Sequence, residues 1–146
     1  MGEKTNYQGS YALNGYFYTE SPFGDSKNFF ISKSDIVYPT KTPFFVDALW
    51  LDAWPLPTDR PATTVLDGEK FPGGGLAKIA IPRHSFAQSA TVRQLDAQSA
   101  LPGAVNVTFA DTHVEKVKLE KLWELYWHKN WAPPDKRPGL PVASAH

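Results

Sequence analysis

Between Ala104 and Lys118 the chain carries its strongest constraint, two alternating runs joined by a turn. Val105, Val107 and Phe109 fall on one side of the first run and Asn106 and Thr108 on the other, the period of two that a half-buried strand requires. Asp111 and Thr112 turn the chain, and residues 113–118 return as a second strand. Leu119, Leu122, Trp123, Tyr126 and Trp127 then recur at i, i+3, i+4, i+7 and i+8. That single apolar stripe predicts an amphipathic α-helix from Leu119 to about His128, stopped by Pro133 and Pro134. A chain that ends this way is expected to lay a helix on a sheet.

Two more strands complete the expectation. Residues 44–51 form a short apolar run rich in aromatic and β-branched side chains, and residues 76–83 form another that delivers Arg83 and His84. The turn pair Asn14-Gly15 makes residues 11–18 a tight hairpin or an entry loop, residues 21–33 read as an irregular loop, and Ser34 to Val37 as a helical turn. Thirteen prolines and ten glycines argue for long loops and short elements. The predicted class is therefore α+β: a small antiparallel sheet of strands 44–51, 76–83, 104–110 and 113–118 with a C-terminal amphipathic helix. At 146 residues the chain is long enough for one hydrophobic core. Residues 1–131 read as one globular domain and 132–146 as a Pro-rich tail.

Charge and cysteine usage narrow the function. Fifteen basic residues balance fifteen acidic ones, so no overall field steers the chain to nucleic acid. Without cysteine there is no disulfide, thiol nucleophile or thiolate metal site. No apolar run reaches the roughly 20 residues that span a bilayer, and the start at Met1 has no apolar core of a signal peptide.

Ser10-Tyr11 with Asn14-Gly15, residues 42–47, Arg83-His84, and residues 103–111 followed by His113, Val114 and Glu115 together resemble a bacterial prepilin-like family of type II secretion pseudopilins, named for a C-terminal His-x9-Asp-Gly signature. Ser10-Tyr11 with Asn14-Gly15 is similar to the family's entry into its globular head, and residues 42–47 are similar to its central strand. Arg83-His84 matches its Arg-His, and residues 103–111 followed by His113, Val114 and Glu115 match the segment around its Asp-Gly. Here residues 86–102 form an insertion between His84 and Asp111, and Thr112 stands in place of the Gly. The resemblance implies a pseudopilin-like head and a structural role rather than an enzymatic one. The head would belong to a filament of other pilin-like subunits in the cell envelope, periplasmic or extracellular. An N-terminal helix, expected to have been removed ahead of Met1, would anchor it in the inner membrane before assembly.

The residues allow other chemistries. His84, Asp111 and His113 are suitable ligands for a divalent cation, although their spacing is no specific metal signature; the bland alternative is a turn at Asp111 with a His84–Asp111 hydrogen bond locking the hairpin. Asp47 and Asp52 invite a paired-carboxylate reading, but along one alternating strand they would fall on opposite faces. Ser85 and Ser89 lie near His84 without a Gly-x-Ser-x-Gly elbow. The Gly-rich run at 71–75 lacks the ending of a phosphate loop. Five tryptophans, Trp50, Trp54, Trp123, Trp127 and Trp131, leave an exported carbohydrate-binding module with polysaccharide as its partner as the alternative function. Against it, those on the helix stripe suit a core. No cofactor is expected.

Overall fold

A computed structural model describes residues 11–63, 75–82, 84 and 95–141. Arg83, Ser85, Ser89, most of the Gly-rich run and residues 86–94 of the insertion lie outside the described residues.

Five short strands form one mixed sheet: β1 (Tyr11–Asn14), β2 (Pro43–Asp47), β3 (Asp52–Ala53), β4 (Ala104–Phe109) and β5 (Val114–Lys118). Their order across the sheet is β3-β1-β2-β4-β5, antiparallel except for the parallel β1–β3 pair. The β4–β5 hairpin is the predicted one, with Val105 opposite Val117 and Thr108 opposite Val114. Val105, Val107 and Phe109 are buried, as their alternation requires. They pack with Leu76, Ile79, Leu119, Leu122, Trp123 and Trp127 into the main core. Burying such a large apolar side chain contributes roughly 2 kcal/mol each.

The C-terminal helix is not α-helical. Leu119–Glu124 is a 3-10 segment, and Leu125 is already extended. The stripe is nevertheless the buried one, since Leu119, Leu122, Trp123 and Trp127 are enclosed. Indole N–H groups take the carbonyls that a continuing α-helix would use: Trp127 Nε1 donates to Leu122 O at 2.7 Å and Trp131 Nε1 to Trp123 O at 3.1 Å. The backbone N–H of Tyr126 is drawn away to Lys41 O at 2.9 Å. Every helical segment among the described residues is a 3-10 turn.

The predicted strand at 76–83 differs as well. Leu76–Lys78 is a 3-10 turn whose first amide, Leu76 N, donates to Asp59 Oδ2 at 3.0 Å. Among the described residues of this stretch, His84 alone joins the sheet, exchanging both backbone hydrogen bonds with Ala104 at 2.8 and 2.9 Å. Gly103 permits this approach, because at its φ of 78° a Cβ would meet Pro82 at 2.5 Å. The expected 44–51 strand stops at Asp47. Residues 48–51 cross the end of β1, and Leu51 O accepts from Leu13 N at 2.9 Å before β3 pairs on the far side.

Asn14-Gly15 likewise closes no hairpin. Asn14 caps a 3-10 turn at Gly15–Phe17 and its side-chain amide donates to Pro43 O and Trp127 O, at 2.9 and 2.8 Å. Gly15 is needed because the Trp54 ring packs where a Cβ would stand. In the tail, Arg137 is clamped to the domain: its Nε and Nη2 bind Glu120 at 2.7 and 2.9 Å, and it donates to Ala97 O and Ser99 O.

Candidate functional site

His84, Asp111 and His113 are placed in two clusters at opposite ends of β4. His84 pairs with Ala104 at one end, and the Phe109 N–H donates to His113 O at the other. Five residue steps of about 3.4 Å separate the ends by roughly 17 Å. The clusters also lie on opposite faces, since His113 stacks on core-facing Phe109 whereas His84 meets outward-facing Asn106. Asp111 and His113 are brought together, and His84 is not with them. Among the described residues no group of three His, Asp or Glu has a geometry that could hold a metal ion.

The partner of His84 is Asp47, in place of the expected Asp111. His84 Nε2 lies 2.9 Å from Asp47 Oδ2, which also accepts Asn106 N at 2.7 Å. The Asp47 carboxylate therefore ends the β2–β4 ladder where the chain turns out of β2. A carboxylate only accepts, so Nε2 carries the hydrogen toward it. The Asn106 amide nitrogen stands 2.9 Å from the same ring atom, and the amide serves that nitrogen best with its oxygen turned toward the ring. Asp47 is buried, while the His84 side chain is 40% exposed. Asp52 lies across β1 from Asp47 and accepts from Tyr18 Oη at 3.3 Å, so alternation along one strand does not relate the two carboxylates.

At the hairpin tip Thr112 N donates to Phe109 O at 2.9 Å and Thr112 has φ 79°. The loop is therefore the three-residue type, a turn followed by a left-handed residue, in place of a two-residue turn at 111–112. Asp111 Oδ1 accepts from His113 N at 3.2 Å and meets His113 Nδ1 at 2.6 Å, while Glu115 stands 3.5 Å from His113 Nε2. The hydrogen bond to Asp111 raises the His113 pKa above the usual imidazole value and lowers that of Asp111. The His113 ring lies flat on Phe109, 4.5 Å between centroids and 5° from parallel. These side chains line a cleft of about 510 Å³ with Lys41, Val117, Lys121 and Leu125. Lys121 is paired there with Glu124 at 2.7 Å.

The five tryptophans share no exposed surface. Trp54, Trp123, Trp127 and Trp131 are buried, and Trp50 alone of the five is exposed, with Lys78 Nζ 5.7 Å from its ring centre. Sequence reasoning missed two groupings, Asn106 with His84 and Asp47, and Arg137 with Glu120. The outward position of Asn106 in β4 was the available signal for the first; nothing local marked the second.

Compared with models of known protein families, with curated proteins and with solved structures, the chain matches none. Among the described residues no helix is long and apolar enough to cross a membrane.

Proposed function

We propose that this chain is the head of a pseudopilin-like subunit in a secretion-related filament, acting by packing against other pilin-like subunits rather than by chemistry. The reading rests on the sequence resemblance and on one observation about its signature residues: they hold segments together. His84 ties its segment to β4 through its backbone and to β2 through its ring and Asp47. Asp111 and His113 close the hairpin that carries the rest of the signature. A filament head needs such rigidity, because its neighbours read its surface. On this proposal an anchor ahead of the head holds it in the inner membrane, and the head faces the periplasm or the exterior.

The test is the native gene and its product. A basic leader, a prepilin cleavage site and about 20 apolar residues encoded directly upstream, with a product that sediments with membranes or sheared filaments, would support the proposal. A gene that starts at Met1, with a product that stays monomeric and membrane-free, would overturn it.

A further inference from the structure

Lys78 is the one buried lysine among the described residues, 7% exposed. It ends the 3-10 turn at Leu76–Lys78, with Leu76 and Ile79 of the same stretch in the main core. Its carbonyl accepts from Leu49 N at 3.0 Å, which seats it beside the segment that carries Trp50. An ammonium has three hydrogens to donate. Among the described residues, however, no oxygen takes one from Lys78 Nζ and no carboxylate comes within ion-pair distance. Asp52 acts on it from farther off, and its Oδ2 already accepts from Tyr18 Oη at 3.3 Å. Lys78 Nζ instead stands 5.7 Å from the ring centre of Trp50, which is 56% exposed. Among the described residues the fully enclosed side-chain polar atoms without a partner are Tyr16 Oη and Trp54 Nε1. The amine end of Lys78 therefore reaches the surface while its stem is covered.

We infer that Lys78 and Trp50 form a covalent capture site for an aromatic aldehyde, the amine making the bond and the indole offering the face on which the ring stacks. A lysine whose stem is buried and whose ammonium has no acceptor is favoured in its neutral, nucleophilic form. In keeping with this, burial pushes the Lys78 pKa below the usual lysine value, and Asp52 opposes that push. The ammonium gives one proton to water, and the Nζ lone pair attacks the carbonyl carbon. The two remaining amine hydrogens leave with the carbonyl oxygen as water, and C=N replaces C=O, so no oxidant or reductant takes part. The neutral imine removes the cost of a charge held without a partner. An aliphatic aldehyde would make the same bond but leave the Trp50 face uncovered, so the indole sets the preference for an aromatic one. His84, Asp47, Asp111 and His113 take no part, and the inference stands or falls independently of the filament reading.

Reductive trapping on the full chain tests it. The folded protein is treated at neutral pH with benzaldehyde or with propanal, each with sodium cyanoborohydride, and the alkylated lysines are located by peptide mass spectrometry. Benzaldehyde should alkylate Lys78 about tenfold faster than the exposed Lys33 and Lys118, and the benzaldehyde-to-propanal ratio should be higher at Lys78 than at either. In denaturant both preferences should vanish, because unfolded lysines share one environment. Trp50→Ala, a change at an exposed side chain, should bring the benzaldehyde-to-propanal ratio at Lys78 down to that of the other lysines while propanal still reacts there. Lys78 alkylated no faster than Lys33 and Lys118 overturns the inference. So does a preference that persists in denaturant, or an aromatic preference that Trp50→Ala leaves intact.

Discussion

At the scale of single residues, the clearest local conflict is Thr112. A β-branched residue at φ 79° sits in a conformation that glycine adopts without steric cost. Thr112→Gly should stabilise the chain by about 1 kcal/mol, the relief of left-handed strain less the added freedom of the unfolded glycine. Thermal melting should show the midpoint rising by about 3 °C; an unchanged or lower midpoint would count against the strain. His128 gives a pH dependence. It is buried beside Tyr16 and Trp131, and burial lowers its pKa from 6.5 to about 4. Between those values the unfolded chain binds more protons, so stability falls as pH drops from about 6.5 to about 4, by roughly 3 kcal/mol. Urea midpoints at neutral and acidic pH should show this slope, and His128→Gln should flatten it. His113 acts with the opposite sign: its raised pKa contributes stability at low pH that fades as pH climbs through the folded value. Its exposure keeps that contribution small.

At the scale of elements, the tail shows how far a segment can be held by one side chain. Arg137 is 2% exposed in its side chain and joins Glu120 to the carbonyls of Ala97 and Ser99. Arg137→Ala strands a partly buried carboxylate and frees two loop carbonyls, and should cost about 3 kcal/mol. Arg137→Lys should recover little, because a point charge cannot reproduce the forked contact. Denaturant unfolding of both variants checks this; a lysine variant as stable as the parent would sink it. The hairpin at 104–118 was legible in the sequence because its alternation, turn and return are all local. The helix was half legible. Its stripe marked the right buried residues, but the backbone type was decided by Trp127, Trp131 and Lys41, which take up groups that an α-helix would pair internally. The strand at 76–83 was displaced for a similar reason, the capture of the Leu76 amide by Asp59.

At the scale of the whole molecule, regular structure is sparse among the described residues, and the largest fully buried side chains are the aromatic Trp123, Trp127, Tyr16 and Phe109. In circular dichroism, near-ultraviolet signals from the immobilised Trp123, Trp127 and Trp131 should be strong and vanish on unfolding. A folded chain with a flat near-ultraviolet spectrum would contradict this packing. Of the candidate site, the residue types were visible in the sequence and the grouping was not: His84 joined Asp47 and Asn106, while Asp111 and His113 met at the hairpin tip. The sequence by itself determined which residues of the C-terminal half leave water, because transfer of apolar surface is a property of each side chain and its spacing. Tertiary structure alone decided which groups they bond to once inside. Every backbone N–H and C=O is chemically alike, and a buried one takes whichever donor or acceptor the fold brings within reach. For Leu122, Trp123 and Asn106 those partners came from an indole five residues on, an indole eight residues on, and a carboxylate in another strand.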